Sequence, residues 1–240
     1  MHSPFVFEFI TKVLNDNRSY YCYATIEELR SRLKQNNTTL TIEDFGAGSR
    51  VASHHQRTVA SIAKSALKPT KFSQLFFRIV DHYQPQNIVE LGTSLGITAS
   101  YMASAKPNAQ LITMEGAKAV AAVAKSNFKS LGLTNIKVVE GNFDNTLHGV
   151  LQKLPQVDLA FVDGNHRKIP TIQYFEQLLA KSNDNTILVF DDIHWSAEME
   201  EAWAAIQQHP RVTLTVDLFF IGLVFFRPEQ KVKQHFTVRF

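Results

Sequence analysis

Asn87-Ile-Val-Glu-Leu-Gly-Thr-Ser-Leu-Gly-Ile-Thr98 decides the fold of this chain. Ile88, Val89 and Leu91 read as a buried strand, Gly92 and Gly96 as a turn, and Ile97 as the first residue of a helix. A glycine turn between strand and helix lets backbone N–H groups come close to a ligand, and the helix start adds partial positive charge. Nineteen residues past Gly96, a second apolar run, Leu111 to Met114, ends in Glu115. An acid at that distance, on the next strand end, is placed to accept hydrogen bonds from ribose hydroxyls.

Downstream the pattern alternates. Strands are predicted over 87–91, 110–114, 136–140, 157–162 and 186–190, and helices near 97–105, 117–131, 144–153, 168–181 and 197–208. Such alternation with short links implies a parallel sheet covered on both faces. Gly132 is placed to stop the second of these helices. Val212 to Leu218 and Leu223 to Arg227 leave no room for a helix between them, so they are expected to form an antiparallel hairpin around Gly222. Residues 234–240 alternate again and suit an edge strand.

Upstream, helices are predicted over 4–15, with Pro4 in the first turn, and over 25–35, with Thr25 as N-cap. Further helices fit 57–67 and 72–82. The Asp44–Gly48 loop mimics a nucleotide turn, yet no apolar strand ending in an acid follows it. With Ser49, Arg50, His54, His55 and Arg57 nearby, it reads as a loop bordering a substrate, or as plain solvated chain.

The 240 residues are 45% hydrophobic and 20% charged, which suits one α/β domain with a small addition. A net charge of +3 without long basic runs gives no indication of nucleic-acid binding. Cys22 stands alone, so neither an internal disulfide nor a multi-cysteine metal site can form. The start lacks a basic region before its apolar residues, and no apolar run approaches ~18 residues, so a cytoplasmic location without membrane contact is expected.

Charge gathers where strands end: Glu90, Glu115-Gly116, Gly141-Asn142-Phe143-Asp144, Asp163-Gly-Asn-His166 and Asp191-Asp192-Ile-His194. Ligands of open α/β sheets sit beyond these ends. Carboxylates there need a ligand, a metal, a basic group or water. A nicotinamide oxidoreductase would carry G-x-G-x-x-G, whereas this turn lacks the middle glycine and has its last one a residue early.

Glu90-Leu-Gly92-x-x-x-Gly96, Glu115, Gly141, Asp163 and Asp191-Asp192 together resemble the class I S-adenosylmethionine-dependent methyltransferases, and within them the small-molecule O-methyltransferases related to catechol O-methyltransferase. The resemblance covers roughly residues 72–227 and implies a doubly wound, mostly parallel sheet of seven strands with the last antiparallel. Residues 71–240 would be the catalytic domain and residues 1–70 a helical cap. Glu90, Gly92, Ser94, Gly96, Glu115, Gly116, Asn142, Phe143 and Asp163 would contact S-adenosylmethionine: the turn on the methionine part, Glu115 on the ribose, Asn142 and Phe143 flanking the adenine.

In metal-using relatives an Asp and an Asp-Asn pair hold a divalent cation. The matching residues here are Asp163, Asp191 and Asp192, so magnesium is an open option with a second carboxylate in place of the amide. His166 stands where those relatives have lysine. Asp163, His166, Asp192 and His194 are the catalytic candidates, an imidazole being usable as a base near neutrality. The aromatic residues Phe5, Phe7 and Phe9 would serve a lid over a small-molecule acceptor or a homodimer contact. A cofactor-binding regulatory protein without transfer activity is the alternative from another functional class.

Overall fold

Strand β3 (Asn87–Leu91) pairs in parallel with β6 (Val157–Val162), and β6 with β7 (Ser182–Asp191), in a computed structural model that describes residues 3–44 and 53–240. The chain divides into two compact units, Met1–Gln86 with Thr93–Glu140, and Asn87–Gly92 with Gly141–Phe240.

In the second unit, β7 pairs antiparallel with β9 (Ile221–Phe225), β9 antiparallel with β8 (Leu214–Asp217), and β8 parallel with β10 (Gln234–Thr237). The hairpin is the expected one, but its turn is not at Gly222. The chain reverses at Leu218–Phe220, where Phe219 takes a left-handed φ of 74°, and Gly222 lies inside β9. Glycine is required there for another reason: a Cβ would come within 2.5 Å of the Trp203 ring. Helices α7 (Phe143–Gln152), α8 (Lys168–Leu179) and α9 (Ala197–Gln208) complete this unit.

The first unit holds the parallel pair β4 (Gln110–Glu115) and β5 (Ile136–Glu140), with α5 (Ile97–Ala105) and α6 (Lys118–Ser130). Helix α5 buries residues on every side, including Tyr101, Met102 and Ala103. Helix α6 ends in a Schellman turn: Gly132 has φ 68°, its N–H donates to Lys129, and the Leu133 N–H donates to Phe128.

The upstream segment adds a strand pair to the expected helices and loop. Helix α1 (Pro4–Phe9) is capped by Ser3 and runs into a π-helical turn, Ile10–Leu14. Its buried face is Val6, Phe9, Val13 and Leu14, while Phe7 is exposed, as spacings of three and four residues dictate. Helix α2 (Tyr23–Gln35) starts two residues before Thr25, with Cys22 at the cap position and no side-chain cap bond. Strands β1 (Thr39–Asp44) and β2 (Ser53–Thr58) form an antiparallel hairpin before α3 (Val59–Ala66) and α4 (Thr70–Tyr83). Leu40 and Ile42, alternate residues of β1, pack on the same apolar cluster as Ile26, Leu29 and Val120. That period-two pattern is the signal for the hairpin. Residues 45–50 of the expected nucleotide-like loop, and the side chains of Asp44, His54 and His55, lie outside the described residues.

A polar knot ties three helices of this unit. Glu27 on α2 accepts from Thr70 of α4 at 2.7 Å, from Tyr101 of α5 at 2.8 Å and from Arg30 at 2.9 Å. Burial alone would raise its carboxyl; the bonds from Thr70, Arg30 and Tyr101 outweigh that and hold it below the ordinary value.

Strands β3 to β9 thus supply the seven expected strands of an α/β, doubly wound, mostly parallel fold, and β10 is an eighth. Among the described residues no helix is long and apolar enough to cross a membrane.

Two glycines separate packing from backbone effects. Gly222→Ala drives a methyl into Trp203 and is expected to cost about 1–3 kcal/mol. Gly149→Ala, inside α7 with nothing within 4 Å of the new Cβ, is expected to add about 0.4–1 kcal/mol. Urea unfolding midpoints of the two variants against the parent check both signs.

Candidate functional site

The loop after β3 is stitched to β4 at three successive residues. The Thr93 N–H donates to the Met114 carbonyl at 3.0 Å, the Thr93 and Thr113 hydroxyls share a hydrogen bond, and the Ser94 N–H donates to Glu115 Oε2 at 2.8 Å. The other oxygen of Glu115 accepts the Ala117 N–H at 3.0 Å. Burial pushes the Glu115 carboxyl above its ordinary value, against the opposing pull of backbone N–H groups of Ala117, Ser94 and Gly116.

This geometry needs an unusual backbone. Ser94 has φ 47° and Gly96 φ 83°, both left-handed, which turns the Ser94 N–H toward Glu115 and starts α5 at Ile97. Gly96 has no side-chain alternative, because a Cβ would meet the Phe128 ring at 2.6 Å. Asn127, one residue earlier on α6, donates to the Leu95 carbonyl and braces the loop from below. Among the described residues no side chain caps α5, so the N–H groups of its first turn, which have no intrahelical acceptor, gain none from a cap. Ser94 Oγ is buried and has no hydrogen-bond partner among the described residues.

In the other unit, Glu90 is wholly buried in β3. Gly92, with φ 106°, lets the β3 end approach β6: a Cβ would sit 2.0 Å from the Asp163 carbonyl oxygen, whose own N–H donates to Leu91. Asn142 is the N-cap of α7, its Oδ1 accepting the Asp144 N–H at 2.9 Å. Phe143 lies edge-on to Tyr174 at 6.2 Å and occupies the space a Cβ on Gly164 would take. Tyr174 donates to Asp144 at 2.6 Å and accepts from Asn165 at 3.1 Å. Sequence reading missed Tyr174 and Asn165 as supports of Phe143. A tyrosine in a helix signals only burial, but the polar Gly164-Asn165 pair after an apolar strand was a usable hint.

The acidic strand ends converge on His166. Its Nε2 is 3.7 Å from Asp163 and its Nδ1 3.8 Å from Asp192, too long for direct hydrogen bonds. Asp163, His166 and the buried Asp191 each offer one ligand atom within 4.8 Å of the others. The geometric cluster therefore takes His166 where the resemblance placed Asp192, whose φ of 52° bends the chain away from β7. His194 belongs to another set of contacts: Nε2 lies 2.8 Å from Asp217, Nδ1 3.4 Å from Glu200, and the ring rests near Phe219. Trp195 is 75% exposed, so it is not core. Met102 and Met114 are fully buried packing residues.

A family model described as "Methyltransferase domain" matches residues 89–193. A catechol O-methyltransferase of Niastella koreensis is 34% identical over 126 residues, which are 51% of this chain and 55% of that protein, so the match spans about half of the relative's length. Among solved structures, an O-methyltransferase from Bacillus cereus in complex with SAH has a TM-score of 0.60 at 18% identity, over 92% of this chain and 96% of that one. The O-methyltransferase TomG from Streptomyces achromogenes, in complex with SAM, has a TM-score of 0.58 at 20% identity, over 67% and 82%. The fold is that of the Rossmann-like methyltransferases.

The raised Glu115 carboxyl has a stability consequence. Between its ordinary and its raised value the folded chain binds a proton that the unfolded chain does not, so this group favours folding more as pH falls through that window. Glu115→Gln removes the titration. The difference in unfolding free energy, parent minus variant, is expected to grow in favour of the parent as pH falls toward the ordinary carboxylate value, when urea titrations are compared.

Proposed function

We propose that this chain transfers a methyl group from S-adenosylmethionine to a hydroxyl of a small molecule, in the cytoplasm, with residues 71–240 as the catalytic domain and residues 1–70 as its cap. The observation that carries the reading is the Ser94 N–H locked to Glu115 beside a buried, unpartnered Ser94 hydroxyl. A loop held left-handed with a polar atom unspent is a fitting cradle for a polar cofactor.

The cofactor supplies a methyl already activated by a sulfonium, so placement of the acceptor in line can provide most of the rate. Gly92, Ser94 and Gly96 would hold its methionine part with backbone groups. Glu115, with Gly116 shaping the turn after it, would accept from the ribose hydroxyls while keeping its bonds to Ser94 and Ala117. Asn142 and Phe143 would flank the adenine, with Tyr174 fixing the Phe143 ring. Glu90 and Asp163 would bound the methyl-donor side.

A methylated hydroxyl must lose a proton. His166 stands between two carboxylates, so an imidazolium formed there has its charge compensated. Asp163, His166 and Asp191 would instead hold a divalent cation, if one is used, and it would lower the pKa of an acceptor hydroxyl bound to it. A donor set of two carboxylates and an imidazole suits a first-row transition ion better than all-oxygen magnesium. Asp192, 3.8 Å from Nδ1, would then be the nearby negative charge on the other side of the ring. We read His194 as the tie between the loop after β7 and Asp217 at the end of β8.

Calorimetry with S-adenosylhomocysteine and with NADH tests the cofactor; binding of NADH alone refutes the reading. Methylation of a panel of hydroxylated acceptors tests the activity, and tight S-adenosylhomocysteine binding with no methylated acceptor points to a regulatory protein instead. Glu115→Ala is expected to weaken S-adenosylhomocysteine by about 1–3 kcal/mol. Asp192→Ala is expected to lower turnover more than cofactor affinity, measured on the same preparation.

A further inference from the structure

A cavity of about 280 Å³ lies at the opposite end of the first unit from the glycine loop. Pro107, three residues before β4, and Thr134-Asn135, just before β5, form one side of it. The cofactor-side residue Glu115 ends β4, so the six residues of that strand hold the two places roughly 20 Å apart. Helices α5 and α6 both start beside the loop and finish at the cavity, where Ser104 and Leu131 line it. The start of α2 supplies the remaining wall, with Cys22, Thr25 and Ile26.

The chemistry of the lining is narrow. Among the described residues, none that lines it is charged. Ile26, Pro107, Leu131 and Leu133 give apolar surface, and the hydroxyls of Thr25 and Thr134 give donors and acceptors. Asn135 directs its amide nitrogen at the carbonyls of Ala103, Lys106 and Ala109, each at 3.2 Å, which fixes the side chain and leaves its oxygen to accept. Tyr21, although exposed, is pinned at the rim by its hydroxyl, which donates to the Ser104 carbonyl at 2.7 Å. An ion entering this space would lose hydration with no opposite charge to replace it. A volume near the lower end of the usual range for small-molecule pockets limits the occupant to about one ring.

We propose that this cavity is a second small-molecule site, separate from the transfer site, for a neutral monocyclic compound bearing a hydroxyl. The ring meets Ile26, Leu131 and Leu133, and the hydroxyl pairs with Thr25, Thr134 or Asn135. The proposal does not depend on the reading of the activity, since no residue is shared with the cofactor loop.

Cys22 is the only cysteine of the chain, lines the cavity and is 6% exposed. Its modification by N-ethylmaleimide, followed by intact mass, therefore reports occupancy at one position. Phenol is expected to slow that reaction saturably, by threefold or more, while benzoate and benzylammonium at equal concentration do not. Thr25→Phe, which fills the mouth, is expected to abolish the phenol effect with S-adenosylhomocysteine affinity unchanged; Leu133→Trp serves if that variant does not fold. Saturation-transfer NMR of phenol on the parent and the variant gives the same comparison without the thiol. No protection and no transfer signal, or equal protection by the two ions, overturns the proposal. Failure of the cofactor titration with intact phenol binding would leave this site standing and the transferase reading fallen.

Discussion

One hydrogen bond organises the site: the backbone N–H of Ser94 donating into the carboxylate of Glu115. It joins the loop after one strand to the end of the next. A left-handed Ser94 is costly for a residue with a side chain, and Glu115 compensates by accepting the N–H that this conformation exposes. The arrangement runs both ways, because a buried carboxylate needs donors as much as the loop needs an anchor. Phe128 beneath Gly96 and Asn127 on the Leu95 carbonyl make the loop part of the helix packing. The loop is therefore held by contacts of its own, and a ligand bound against it would have less chain to order.

The strand ends of the other unit show the same economy in a polar form. Asp163, Asp191 and Asp192 would repel one another if left together, and the structure sets His166 among them. The distances from His166 to Asp163 and Asp192 lie just beyond hydrogen-bond reach. His194, only a few residues from Asp191 in sequence, is drawn instead into a bracket with Asp217 and Glu200. Two histidines that follow similar acidic strand ends thus have different neighbours, and the difference comes from the elements that face them.

The upstream part of the chain is held by polar as well as apolar contacts. Glu27 gathers hydroxyls from α4 and α5, and Arg30 beside it spends its guanidinium on Glu27, the Lys68 carbonyl and Ser73. A partly buried charge pair satisfied in this way adds little net stability. The cavity lies where α2 starts and where α5 and α6 end, so it is a property of their packing and not of any one motif.

The sequence by itself determined the strand order of events: a glycine turn after β3, an acid after β4, acids after β6 and β7, and a closing hairpin. These were legible because each rests on local chemistry, a period of two or of 3.6, a glycine where φ is positive, a charge where an apolar run stops. The β1–β2 hairpin was hidden in a polar stretch whose alternation is short. The role of Gly222 was misplaced because its constraint is the Trp203 ring, a residue far along the chain. Only the tertiary structure decided that Glu115 bonds the Ser94 N–H, that His166 and not His194 joins Asp163 and Asp191, and that Phe143 leans on Tyr174. Those are choices between partners distant in sequence, and a periodicity carries no information about which of several equivalent side chains the fold will bring within 4 Å.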